Sequence, residues 1–123
     1  VKTLSDYLVM IEEWIERGTA VVDLYSDHGW KDSISVVAKI DTGADSTSVH
    51  HTLCEALGWD IVGARKVKNA NGGKRRSVFV GTIGIEDDLF EDVLINGADR
   101  SNLNYPVIIG RNLLKELISM KKE

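Results

Sequence analysis

The stretch Ile40-Asp41-Thr42-Gly43-Ala44-Asp45-Ser46-Thr47-Ser48 joins an apolar strand to an acid, a hydroxyl and a glycine. Upstream of it Ile34, Val36, Ala38 and Ile40 alternate with Ser35, Val37 and Lys39. A two-residue period rich in β-branched side chains predicts a strand, and this one delivers Asp41 to a turn. A carboxylate at the end of an apolar strand is costly to ionise unless its charge is shared or hydrogen-bonded. Thr42 offers a hydroxyl for that purpose, and Gly43 lets another backbone come close.

The turn Asp41-Thr42-Gly43-Ala44-Asp45-Ser46-Thr47 resembles the active-site turn of the retropepsin-like aspartic proteases. Tyr105-Pro106-Val107-Ile108-Ile109-Gly110-Arg111-Asn112-Leu113-Leu114 resembles their second signature. A bare Asp-Thr-Gly is a weak signal, but two motifs in order and about a domain apart are a strong one. A narrower resemblance is to the bacterial group labelled "putative ATP-dependent zinc protease", associated with ATP-grasp glutamate ligases. It rests on Val67-Lys68-Asn69-Ala70-Asn71-Gly72 and on residues 98–106, Ala-Asp-Arg-Ser-Asn-Leu-Asn-Tyr-Pro. The likeness covers residues 34 to 115.

It implies a mostly-β, closed retropepsin-like acid-protease barrel, with an added N-terminal helix and a C-terminal helix. Residues 1–33 would be an N-terminal helix and strand extension and 34–123 the protease domain, one compact unit overall. Asp41 would be the catalytic acid and base, with Thr42 and Gly43 positioning it. Ala44 and Asp45 would contact substrate main chain, and Asn69, Ala70, Asn71, Gly72 and Gly73 would form a flap closing over it. Gly110, Arg111 and Asn112 would support the site, Arg111 pairing with Asp45 through a planar guanidinium suited to a fork-shaped contact.

The chemistry needs two carboxylates that share one proton, one activating water while the other protonates the carbonyl. The chain holds no second Asp-Thr-Gly or Asp-Ser-Gly, and its halves do not repeat. A catalytic site therefore requires a two-fold homodimer with Asp41 from each subunit on the axis. Retropepsins commonly finish with a strand that interleaves with the partner, whereas this chain ends in helical sequence, so its dimer would need another interface. The alternative from a different class is a non-catalytic peptide-binding or dimerisation module on the same fold. An intact Asp-Thr-Gly favours the enzyme, because a binding module has no need of an ionisable group in so costly a place.

The rest of the 123 residues sets the frame. A hydrophobic share of 43% and a charged share of 28% are those of an ordinary globular domain. No apolar run approaches membrane-spanning length, so no membrane partner is expected. The absence of a basic, then hydrophobic N-terminus favours the cytoplasm, with a periplasmic mature form left open. Residues 65 to 76 hold Arg65, Lys66, Lys68, Lys74, Arg75 and Arg76 and no acid, leaving nine basic against nineteen acidic residues elsewhere. Such a basic hairpin would protect a strand edge, and it would also draw acidic peptide or protein substrates. Nucleic acid is excluded as a partner by the net charge of −4 and the lack of stacking aromatics in the basic run.

The single cysteine, Cys54, rules out an intrachain disulfide and reads as a small core hydrophobe. His50 four residues earlier would be the base of a cysteine protease, but nothing else supports that chemistry. His50, His51 and Cys54 fall short of a zinc site, and His28 lies apart in a turn, so no metal and no cofactor is expected. A metallopeptidase would be separated from the aspartic reading by chelator sensitivity.

In chain order the spacing predicts an amphipathic helix over Ser5 to Arg17, with Leu4, Tyr7, Leu8, Ile11, Trp14 and Ile15 on its apolar face. Thr3 and Asp6 form a capping box, and Gly18 ends the helix. A strand over Thr19 to Tyr25 follows, with a turn at Asp27-His28-Gly29, then a short helix over Thr52 to Leu57. A long hairpin spans Ile61 to Ile85 around Asn71-Gly72-Gly73. A strand runs from Leu89 to Ile95, a turn sits at Asn96-Gly97, Val107 to Ile109 form a buried strand, and a helix covers Leu113 to Lys121.

Overall fold

The computed structural model describes residues 3–27, 32–69, 72–99 and 104–120. Helix α1 (Leu4–Arg17) opens with the expected box. The Thr3 hydroxyl accepts the Asp6 N–H at 3.3 Å, and the Asp6 carboxylate accepts the Thr3 N–H at 2.9 Å. Gly18, at φ 74°, closes the helix by donating its N–H to the Trp14 carbonyl. Among its described side chains only Ile11 and Trp14 are buried, with Met10 packed beside them. Leu8 and Ile15, expected on the apolar face, are 43% and 47% exposed. Among the described side chains, the helix meets the barrel through Ile11 and Trp14, while Leu8 and Ile15 beside them face solvent.

Six strands close a ring. β1 (Thr19–Tyr25) pairs with β2 (Ser33–Ile40), which pairs with β7 (Val107–Ile109), then β3 (Thr47–His50), β6 (Asp88–Ala98) and β5 (Gly72–Ile85). β5 returns to β1 through Val22↔Ile85 to Tyr25↔Thr82, so β1 is a stave although it lies outside the stretch that carries the resemblance. β4 (Asp60–Asn69) flanks the first half of β5 and projects with it as a hairpin. Two short helices complete the chain, α2 (His51–Ala56) after β3 and α3 (Arg111–Met120) after β7.

The core is the inside of this ring. Val22 and Leu24 of β1, Phe79, Ile83 and Ile85 of β5, and Phe90 and Ile95 of β6 are at most 2% exposed. α3 adds Leu113, Leu114 and Leu117 to the same buried cluster. No helix among the described residues is long and apolar enough to cross a membrane.

Four local expectations need correction. Asn96 and Gly97 do not turn the chain; they continue β6, level with Ser48 and Val49 of β3. The glycine is there for packing, because a Cβ on Gly97 would lie 2.6 Å from the Phe79 ring. Gly72 and Gly73, expected in the turn, are strand residues paired with Asn69 and Lys68; residues 70–71 lie outside the described residues. α2 begins one residue early, at His51, and Gly58 at φ 75° follows it. β2 is buried only at its end, in Ala38 and Ile40, while Ile34 on the same face stays 43% exposed. The turn expected at His28-Gly29 also lies outside the described residues.

If Gly97 serves Phe79, Gly97→Ala should destabilise the fold by about 1–3 kcal/mol through overpacking. Phe79→Leu should recover part of that loss, and urea unfolding of the two single variants and the double variant would show the coupling.

Candidate active site

Parallel pairing of β2 with β7 puts Ile40 level with Ile109, so the residues that follow them, Asp41 and Gly110, emerge side by side. The Asp41 N–H extends that ladder by donating to the Ile109 carbonyl at 3.0 Å. β3 runs antiparallel to β7, with Ser48 opposite Ile108, which returns the chain after the turn to the same place. Three strand ends therefore meet around Asp41.

The turn is held by its own acid. Asp41 Oδ1 accepts the Gly43 N–H at 3.0 Å, and the Asp41 carbonyl accepts the Ala44 N–H at 3.2 Å. Asp41 is half-buried, whereas Thr42 and Gly43 are exposed, so the carboxylate sits at the rim of the barrel with an open face before it. Gly110 allows the second motif to close in. A Cβ there would stand 2.4 Å from the Ser46 carbonyl group and 3.0 Å from the Ala44 oxygen.

Beneath the turn lies a buried lock. Thr47 is wholly buried and donates both its N–H and its hydroxyl to Asn112 Oδ1, at 2.9 and 2.8 Å. The same hydroxyl accepts the Gly110 N–H at 3.1 Å, and Asn112 Nδ2 donates to the Leu94 carbonyl at 3.2 Å. One amide thus ties β3, β6 and α3 together. Asn112 is legible as part of the second motif, but its partner Thr47 has no marker beyond being the hydroxyl residue that ends the turn.

Arg111 reaches the Asp45 carboxylate as the resemblance implies, and the Arg111 N–H donates to the Ala44 carbonyl at 2.8 Å. Both side chains of this pair are largely exposed, at 49% and 70%, so solvent screens it. Between the turn and the hairpin, Ala44, Asp45 and Ser46 face Arg65, Lys66 and Arg76 across a cavity of about 350 Å³. Arg65 Nη1 donates to the Ser46 hydroxyl at 2.7 Å, a contact that sequence spacing could not anticipate. Of the flap residues, Asn69, Gly72 and Gly73 are placed as backbone in the hairpin strands, while Ala70 and Asn71 lie outside the described residues, as does Arg100.

Cys54 is no nucleophile. It is the buried residue of α2, its thiol directed at the Val49 carbonyl, and burial pushes its pKa up to about 12.

No protein-family model matches the chain, and no curated protein matches it in sequence. Solved structures do. The protease of simian foamy virus (mac) superposes with a TM-score of 0.59 at 18% identity over 85% of this chain and 98% of its own. A retropepsin-like aspartic protease from Rickettsia conorii gives 0.52 at 13% identity over 78% of this chain and 69% of its own. A Legionella pneumophila protein of unknown function gives 0.50 at 19% identity over 78% and 84%. The fold is thus the retropepsin-like closed barrel with helices at both ends, at identities that speak for architecture alone.

The buried lock should matter far more than the exposed pair. Asn112→Ala strands the donors of Thr47 and should cost about 1–3 kcal/mol, whereas Arg111→Gln should cost under about 1 kcal/mol and less in high salt; chemical denaturation at two ionic strengths checks both.

Cys54 should resist alkylation in the native chain and react once the chain is unfolded, because its thiolate is scarce below its raised pKa. Stability should fall between about pH 9 and 12, where the unfolded thiol ionises and the folded one keeps its proton.

Proposed function

We propose that the chain is an aspartic endopeptidase that works as a homodimer and hydrolyses peptide bonds with water activated by two Asp41 carboxylates. The observation that carries this reading is a half-buried carboxylate held at the barrel rim by the Gly43 N–H, with an open face and only one such turn per chain. Two rims facing each other across a two-fold axis would bring two such groups together. The retropepsin-like fold supports the same reading, and residues 67–72 and 98–106 resemble the bacterial group associated with ATP-grasp glutamate ligases.

In that assembly the paired aspartates share one proton. The ionised carboxylate takes a proton from water as its oxygen attacks the peptide carbonyl carbon, and the protonated one gives its proton to the carbonyl oxygen. Collapse of the tetrahedral intermediate breaks the C–N bond, with a proton passing to the departing amine. Thr42 and Gly43 position Asp41, Ala44 and Asp45 hold substrate main chain, and the hairpin around residues 69–73 closes over it and excludes water. Arg65, Lys66 and Arg76 on the cavity wall favour an acidic peptide.

Digestion of a mixed peptide library that includes acidic members tests the reading. Asp41→Asn should lower the rate by about 10²–10⁴-fold, wild-type specific activity should rise with protein concentration, and any preference for acidic peptides should fade with salt. Equal cleavage by wild type and variant, or none by either, moves the chain to the peptide-binding or dimerisation class.

A further inference from the structure

We propose that His50, His51 and Asp99 form a binding site for a first-row transition-metal dication, zinc foremost, at the end of β3 remote from Thr47. The topology creates it. Parallel pairing of β3 with β6 puts His50 level with Ala98, 48 residues further along the chain, so Asp99 follows at the same rim, and His51 opens α2 beside them. One donor atom from each of the three lies within 4.8 Å of the other two. The sequence pattern pointed instead to Cys54 as the third candidate, but that thiol faces inward to the Val49 carbonyl.

The chemistry of the donors fits such an ion. His50 Nδ1 lies 3.3 Å from the Ala98 carbonyl oxygen. A ring nitrogen within hydrogen-bond reach of a backbone carbonyl is the kind of second contact by which metal-binding imidazoles are oriented. The rings of His50 and His51 have centroids 4.9 Å apart and are inclined at 56°, so they do not lie flat against each other. Donors around a tetrahedral ion at about 2.1 Å stand about 3.4 Å from one another. His51 and Asp99 are exposed at the rim, where side-chain rotation can bring donors toward that spacing.

A cavity of about 390 Å³ opens beside the three residues, bordered also by Glu55, Arg75 and Arg76. It leaves room for further ligands. Glu55, one helical turn after His51, is the natural fourth, and its negative charge would offset the two arginines across the cavity. Two imidazoles with carboxylate favour zinc, cobalt, nickel or copper over magnesium and calcium, which prefer all-oxygen sites.

The test uses the whole chain, stripped of metal by chelator, with Zn²⁺ titrated calorimetrically and Co²⁺ followed by visible absorption. One equivalent of Zn²⁺ should bind, and the Co²⁺ spectrum should show nitrogen and oxygen ligation without a thiolate band. His51→Ala and Asp99→Asn should each weaken binding at least about tenfold, with unchanged circular dichroism, while His28→Ala should leave it intact. No saturable binding to wild type overturns the proposal, as does full-strength binding by the His51→Ala/Asp99→Asn double variant, loss of binding in His28→Ala, or a thiolate band.

Discussion

The constraint on which the structure turns is the absence of a side chain at Gly110. The main chain of Ala44 to Ser46 passes so close that even a methyl group would collide with backbone, which cannot move aside as a flexible side chain could. Because that approach is allowed, the Gly110 N–H reaches the Thr47 hydroxyl, the Thr47 donors reach Asn112, and Asn112 reaches β6. A buried polar network of this kind is stable only when every member is satisfied, so it admits one arrangement of the three strand ends. Asp41 takes its place from that arrangement. Its own bonds, to Ile109 behind and Gly43 ahead, only finish the positioning.

Charge is distributed around this rigid centre in a graded way. The buried lock contains no ionisable group, the Asp45–Arg111 pair lies out in solvent, and the cations of the hairpin stand across the cavity from the turn. Burial cost thus falls on groups that hydrogen-bond fully, and the charges stay where water screens them. Arg76 lines both the cavity beside the active turn and the one beside His51 and Asp99, so a single strand residue borders both chemically distinct corners of the barrel.

Much of this was legible in the residues. The alternation before Asp41, the capping box at Thr3, and the two glycine-bearing motifs pointed to the elements that the structure has, since each is a local pattern with a local cause. The failures are tertiary. Asn96-Gly97 looks like a turn to any rule based on neighbours, yet the glycine answers to Phe79 on another strand. Leu8 and Ile15 have helical spacing, but spacing does not tell how wide a face the barrel covers. Asp99 joins His50 only through a parallel pairing that no short-range pattern encodes.

The ring closure between β1 and β5 has a consequence for how the molecule comes into being. β1 finds β2 within a hairpin, but its other neighbour lies about sixty residues downstream, at Thr82 to Ile85. Pairings so distant along the chain carry a loop-closure cost that must be met before they give anything back, and they slow folding. During synthesis, β1 therefore waits with one edge unpaired until β5 has emerged, and such an edge can recruit the strand of a neighbouring nascent chain. The seam between β1 and β5 is thus also a place where a crowded ribosome exit would turn folding into aggregation.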